Sequence, residues 1–242
     1  MDIGGSGIKG CTVDLDRGEL AAERLRIDTP QPSLPESVCE VVGQIVGHFG
    51  WTERIGVTYP GVMKSGVAFT AANMDKSWIG TNLAEHLESL IPGTVQTLND
   101  ADAAGLAEMR YGAGRDQRGL VLMLTFGTGI GSALFVDGVL VPNTEFGHIQ
   151  VDSEDGERRA SAAAREREDL SWHAWAKRVD RYLDVLEAGL WPDLIIVGGG
   201  VSKKSDKWVP LLSTRTRVVP AELLNDAGIV GAALAAEQHI GQ

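Results

Sequence analysis

The apolar positions change period several times along the chain, and each change marks an element. Ile8 to Leu15 reads as an extended run into the turn Asp16-Arg17-Gly18, with a second extended run from Leu20. Much further on, the apolar run Val121–Phe126 meets Gly127-Thr128-Gly129-Ile130-Gly131, then Ser132–Val136, the turn Asp137-Gly138 and Val139–Val141. A glycine-rich loop followed by a hairpin thus occurs twice, in distant parts of the chain. This weak internal repeat predicts two similar domains facing one cleft.

Helical spacing falls between these runs. Ser33-Leu34-Pro35-Glu36 has the form of a capping box, with Ser33 at the N-cap and Glu36 at N3. Leu34, Val38, Val41, Val42, Ile45, Val46 and Phe49 then keep helical spacing. Asn82 and Glu85 open a short helix through Leu87, Leu90 and Ile91, and Asp100 to Tyr111 reads as an Ala-rich helix. Leu170, Trp172, Trp175, Val179, Tyr182, Leu183 and Leu186 mark a long amphipathic helix. Leu194–Val197 reads as a short buried strand ending in Gly198-Gly199-Gly200, and Asp226 caps a final helix rich in Gly and Ala. Strands mixed with helices predict α/β domains. The polar, Gly-rich stretch Gly112–Gly119 suggests the break, giving domains 1–115 and 116–242, with the last helix packing back on the first.

Composition narrows the class. With 242 residues, 43% hydrophobic and 23% charged, the chain suits one or two folded domains and not disorder. A net charge of −11 argues against broad nucleic-acid binding, which needs a basic face. An anionic substrate must then be drawn in by local cations and backbone N–H groups, against the global field. The longest apolar stretch, Leu120 to Phe126, is too short for a bilayer, and no basic-then-apolar leader precedes the first motif. Cys11 and Cys39 show neither metal-ligand spacing nor a disulfide framework, which fits a cytoplasmic protein.

Four motifs offer chemistry. Asp2-Ile3-Gly4-Gly5-Ser6-Gly7-Ile8-Lys9 has glycines that let successive N–H groups turn inward as an anion nest, a Ser6 hydroxyl, an Asp2 able to hold water on Mg²⁺, and a Lys9 charge. A tight hairpin needing glycine is the plainer alternative, and no P-loop pattern is present. Thr125-Phe126-Gly127-Thr128-Gly129-Ile130-Gly131 repeats the theme, so that one loop can hold each side of a phosphoryl donor. In Asn99-Asp100-Ala101-Asp102, Asp100 stands where the strand Thr94–Leu98 gives way to a helix. A carboxylate there can take the proton of an attacking hydroxyl, while Asn99 holds a neighbouring one; a helix-capping role for Asp100 is compatible with this. In Glu145-Phe146-Gly147-His148, a carboxylate and an imidazole split by Gly can converge on vicinal hydroxyls.

Taken in order, these motifs resemble the ROK family of sugar kinases and repressors, within the actin/hexokinase-like superfamily. Glu145-Phe146-Gly147-His148 is similar to the family's E-x-G-H sugar motif, and Ile196-Val197-Gly198-Gly199-Gly200-Val201-Ser202 to its nucleotide-side glycine strand. The resemblance implies a two-domain actin-like, ribonuclease H-like ATPase fold with a cleft between domains. It implies Asp100 as the base, Asn99, Glu145 and His148 on the sugar, and Asp2, Gly4, Gly5, Ser6, Gly7, Lys9, Thr125, Gly127, Thr128, Gly129, Gly131, Gly199 and Gly200 around the phosphates. Finer detail resembles the polyphosphate glucokinase branch: Ala72-Asn73-Met74-Asp75-Lys76-Ser77-Trp78-Ile79-Gly80, Pro142-Asn143-Thr144-Glu145, and Gly200-Val201-Ser202-Lys203-Lys204-Ser205-Asp206-Lys207. That branch uses Mg²⁺ and passes a phosphoryl group from inorganic polyphosphate to the 6-hydroxyl of glucose; some members also accept ATP. Asn73 joins the sugar candidates on this ground.

Two departures stand out. Many family members carry a cysteine-rich zinc segment that also supplies a sugar-binding glutamate. Here the corresponding stretch is Ala160–Glu168, without cysteine, so no structural zinc is expected; the glutamate's counterpart is Glu168 or Glu166, with Glu168 preferred. The start Met1-Asp2 lies inside what the family builds as the first strand, which puts the placement of Asp2 in question.

Lys203, Lys204 and Lys207 lie just past the glycine strand, where a nucleotide kinase receives adenosine. Lys203 and Lys207 share a face if the segment is helical. Such a cluster suits a polyanion better than a purine, although a solvated face is the common alternative. The expectation is a cytoplasmic, homodimeric polyphosphate-dependent glucokinase. An ATP-dependent ROK hexokinase and a non-catalytic sugar-sensing ROK protein are the rivals.

Overall fold

In the computed structural model, which describes residues 1–240, the chain divides into two compact units. Met1–Ala107 and the segment from Asp226 onward form the first, and Glu108–Asn225 the second. The first sheet contains β1 (Asp2–Ile3), β2 (Ile8–Gly10), β3 (Leu25–Ile27), β4 (Arg54–Tyr59) and β5 (Thr94–Asn99), in the order β3-β2-β1-β4-β5. The second contains β6 (Leu120–Phe126), β7 (Ile130–Val136), β8 (Val139–Val141), β9 (Leu194–Gly198) and β10 (Val218–Pro220), in the order β8-β7-β6-β9-β10. The two orders are the same. In each unit the first three strands run antiparallel to their neighbours, and the fourth and fifth are added in parallel. The repeated loop and hairpin of the sequence are therefore the visible part of a repeated sheet.

β9 is buried at every position and β4 at all but its first, as continuous apolar runs in parallel strands require. The first unit's core gathers Ile3, Ile8, Val38, Val42, Ile45, Val57, Tyr59, Trp78 and Leu83. The second is built on aromatics. Phe126 meets Trp175 and Trp208 edge-on, each with centroids 5.8 Å apart, and Trp175 lies 4.9 Å from Trp208. β1 is brief where its counterpart β6 has seven residues. A cavity of about 700 Å³ beside it is lined by Val13, Leu15, Val46, Phe49, Ile55 and Gly56 among others. Asp2 is nonetheless fixed: it pairs with Thr58 and Lys9 in the sheet, and the Thr58 amide donates to the Met1 carbonyl at 3.0 Å.

Among the described residues, seven α-helices complete the units. They are α1 (Pro35–Phe49), α2 (Leu83–Glu88), α3 (Asp100–Tyr111), α4 (Gly156–Ala160), α5 (Ala162–Arg167), α6 (Trp172–Leu190) and α7 (Ala227–Gln238). Asn82 caps α2 as expected, accepting the Glu85 amide. The capping box at Ser33 does not form. Leu34 occupies the N-cap of α1, because Pro35 at N1 needs no N–H partner and Ser33 is engaged elsewhere. The Ser33 hydroxyl accepts the Asp75 amide at 3.0 Å, and its carbonyl accepts the Trp78 indole at 2.8 Å. Asp226 makes no side-chain cap on α7; its carboxylate pairs with Arg24 at 2.9 Å.

The division between units falls at 107/108, ahead of the expected 115/116. The fully buried Glu108 explains it, since its carboxylate accepts the amides of Ala113, Glu222 and Leu223 and ties the end of α3 into the second unit. α7 belongs to the first unit, where its small residues bring backbone against backbone. A Cβ on Gly231 would stand 1.7 Å from the Ala103 carbonyl oxygen, and one on Gly56 1.8 Å from that of Ala232. Because rigid backbone cannot give way as a side-chain tip can, Gly231→Ala should destabilise the protein by about 2–3 kcal/mol in urea unfolding, whereas Gly47→Ala, inside α1 and meeting nothing, should stabilise it by up to about 1 kcal/mol.

Candidate active site

The first glycine loop joins β1 to β2, and its carbonyls are all engaged. The Thr29 hydroxyl donates to Gly4 O, the Gln31 amide to Gly5 O at 3.3 Å, the Arg26 guanidinium to Ser6 O at 3.0 Å, and the Gly4 amide to Gly7 O at 3.1 Å. With the carbonyls held back by the segment 26–31, the Gly5 and Ser6 amides are left for an outside acceptor, which is what an anion site needs. None of Gly4, Gly5 and Gly7 has a left-handed backbone. The expected reason for these glycines was conformational freedom; the actual one is room. A Cβ would meet Asn73 O at 2.9 Å from Gly5 and the Arg26 guanidinium at 2.7 Å from Gly7. Exposed Asn73 is thus brought to the loop through its backbone.

Asp2 and Lys9 flank the loop as a pair. The Asp2 carboxylate accepts the Thr58 hydroxyl at 3.0 Å and lies 3.4 Å from the Lys9 ammonium. Lys9 is therefore partly neutralised before any phosphate arrives.

Asn99 ends β5 and is the true cap of α3. Its Oδ1 accepts the amides of Ala101 at 2.8 Å and Asp102 at 3.0 Å, while Nδ2 donates to Gly61 O at 3.1 Å. One N–H of Nδ2 is left over for a ligand. Asp100, expected as the cap, is instead the first helical residue, and its Oδ1 accepts the Ala101 amide at 2.8 Å.

In the second unit, Phe126 ends β6 and the second glycine loop begins. The Gly127 amide donates to Gly129 O at 2.9 Å, and Gly127 O accepts the Ala163 amide of α5 at 3.0 Å. Thr125 and Gly131 face each other across the β6–β7 ladder, and Thr128 is exposed. Beyond β7, the short 3-10 turn Phe146–His148 is braced from two sides: Ser132 Oγ accepts the Phe146 amide at 3.0 Å, and the buried Tyr182 hydroxyl donates to Phe146 O at 3.1 Å.

This turn presents Glu145 and His148, with Nε2 of His148 3.9 Å from the Glu145 carboxylate. Burial raises the Glu145 pKa, partly offset by His148 and reinforced by Glu157. Nδ1 of His148 lies 3.7 Å from Asp155 and 3.8 Å from Glu157. The other oxygen of Glu157 accepts the Ile130 amide at 3.2 Å, against Gly129, where a Cβ would meet it at 2.3 Å. Glu157 thus connects the sugar motif with the second glycine loop.

Glu168 is held by two arginines. Arg178 reaches its carboxylate at 2.6 Å and Arg167 at 3.1 Å; the Arg178 hydrogen bond above all holds its pKa below the usual carboxylate range. The physical cause is position: Glu168 is the C-cap of α5 and is exposed, whereas Glu157 opens α4 directly after Gly156, whose missing Cβ leaves room for the Tyr182 ring. Beside Asp155, the carboxylate gathered with Glu145 and His148 is Glu157. Its signal in the sequence was Gly156-Glu157 soon after the E-x-G-H motif, ahead of the interval in which a glutamate was sought.

At the end of β9, Gly199 has a left-handed backbone, φ 81°, and a Cβ there would stand 2.2 Å from Phe126 O. Gly200 begins a 3-10 segment running to Lys207. Lys203, Lys204 and Lys207 are all exposed, but the segment is not α-helical and is broken at Lys204, so the common face argued for Lys203 and Lys207 does not arise. Among the described residues, no group of three or more His, Cys, Asp or Glu side chains is placed to hold a metal ion, and no helix is long and apolar enough to cross a membrane.

The ROK family model matches residues 1–162. A polyphosphate glucokinase of Mycobacterium tuberculosis is 56% identical over 97% of this chain and 89% of its own length. Another, from Mycobacterium leprae, is 53% identical over 99% of this chain and 74% of its own. Among solved structures, an inorganic polyphosphate/ATP-glucomannokinase from Arthrobacter sp. strain KM superposes with a TM-score of 0.94 at 49% identity, over 98% of this chain and 97% of that one. A family match across two thirds of the sequence, joined to relatives that run nearly its full length, places the chain in the ROK family.

Proposed function

We propose that this chain transfers a phosphoryl group from inorganic polyphosphate to the 6-hydroxyl of glucose, with ATP as a second donor. The observation that carries the reading is a carboxylate, Asp100, fixed at a helix start by Asn99 in a unit that also holds a pre-formed anion loop. The full-length likeness to polyphosphate glucokinases supports the choice of donor and sugar.

Phosphoryl transfer asks the protein for positioning, charge neutralisation and one base. Asp100 takes the proton from O6 as the O6–P bond forms. The bridging P–O bond of the donor's last phosphate breaks in the same step, and a polyphosphate shorter by one unit leaves. Glu145, His148 and Glu157 hold the sugar hydroxyls. Donor phosphates are held by the Gly5 and Ser6 amides of the first loop and by Thr125, Gly127, Thr128, Gly129 and Gly131 of the second. Lys203, Lys204 and Lys207 take the rest of the polyanion past Gly199 and Gly200. Mg²⁺ would neutralise phosphate oxygens when bound; that ion is held by phosphates and water with one or two carboxylates, and Asp2 is the one that would hold it here. A cytoplasmic homodimer belongs to the same reading.

Asp100→Asn keeps hydrogen-bonding capacity and removes the base. Turnover should fall about 10²–10⁴-fold while glucose KM stays within a few fold, read in steady-state kinetics; near-normal turnover refutes the assignment. Glu157→Gln should raise glucose KM about tenfold or more, as expected for losing a charged hydrogen-bond partner, whereas Glu168→Gln should leave glucose KM within about twofold. The opposite ranking would restore Glu168 to the sugar site.

A further inference from the structure

Arg26 stands against the donor loop in a way that bracing alone does not require. Nη2 donates to Ser6 O at 3.0 Å and Nη1 to Asp28 Oδ1 at 2.6 Å. Nε, Cζ and Nη2 all lie where a side chain on Gly7 would begin, at 2.7 to 2.8 Å from that Cβ position. The Arg26 guanidinium occupies the space a Gly7 side chain would take. Arg26 is also directly opposite Lys9 in the β2–β3 ladder, and facing residues of a ladder project to one side of the sheet. Lys9 lies 3.4 Å from Asp2 and Arg26 2.6 Å from Asp28, so each of the two cations at this loop has one acidic partner. Asp28 is 82% exposed and surface pairs of that kind contribute little, so the pair does not explain the placement.

One N–H would suffice to pin Ser6; a guanidinium carries five in a planar fork. We propose that Arg26 is a donor ligand, its remaining N–H groups binding phosphate oxygens of the polyphosphate chain beside the Gly5 and Ser6 amides. The fork matches two oxygens of one phosphate, and such charge-assisted pairs are the strong ones. In a protein of net charge −11, a fixed cation at the loop offsets the field that repels the donor. This inference rests on the reading that the first loop holds the donor.

The test uses the full chain and inorganic tripolyphosphate as probe, followed by titration calorimetry. Arg26→Gln retains an N–H donor for Ser6 O without the charge, and Arg26→Lys retains the charge without the fork. Arg26→Gln should weaken tripolyphosphate binding about tenfold and Arg26→Lys clearly less, with glucose affinity and melting temperature unchanged in both. Binding in Arg26→Gln should also lose part of the wild-type salt dependence. Equal tripolyphosphate affinity in Arg26→Gln and wild type overturns the inference while leaving the donor loop intact. Equal losses in both variants, accompanied by a lower melting temperature, reduce Arg26 to a brace and overturn it as well. Wild-type protein that binds no tripolyphosphate removes the donor reading itself, and the Arg26 assignment with it.

Discussion

The Asn99 amide is the constraint on which the first half-site depends. One side chain ends β5, caps α3 through two amides and reaches back to Gly61, so the direction of the strand, the start of the helix and the loop after β4 are set together. Asp100 inherits its position from that junction. A side chain one residue past a doubly bonded cap has little freedom to drift. Asn99 was expected chiefly as a sugar ligand. Its larger role is to place its neighbour.

A second constraint is close approach. The glycines of both loops stand where something else must come near: Asn73 and Arg26 in the first, Glu157 in the second, the Phe126 backbone at Gly199. This turns glycine-rich loops into assembly points for chemistry supplied by other parts of the chain. In the proposed function it also lets oriented amides and a few held cations, not net charge, attract the polyanionic donor.

These facts decide what was legible in the sequence. Loops followed by hairpins were visible because turn residues and apolar alternation are local, and they led to the repeated five-stranded sheet. The order of the glycine, Asn-Asp and E-x-G-H motifs carried the family. What escaped was non-local. Arg26, Thr29 and Gln31 act on the first loop through carbonyl contacts that no spacing rule encodes. Ser33 matched a capping box, yet tertiary partners, Asp75 and Trp78, outbid the local one. Glu168 was favoured from a register set by absent cysteines, whereas the fold brings Glu157 to His148 through the Tyr182 ring and the bare Gly156. The domain break was drawn at a flexible-looking stretch; the buried Glu108 carboxylate, invisible as such in sequence, moves it earlier.

The central claim is that this chain passes the terminal phosphoryl group of a polyphosphate to a glucose hydroxyl. The direct measurement is glucose 6-phosphate formation by the purified chain with glucose and Mg²⁺, comparing polyphosphate, ATP and no donor. The account predicts product with polyphosphate, product with ATP as a second donor, none without a donor, and no phosphate release when glucose is left out. No product with polyphosphate, or phosphate released in the absence of sugar, would contradict it.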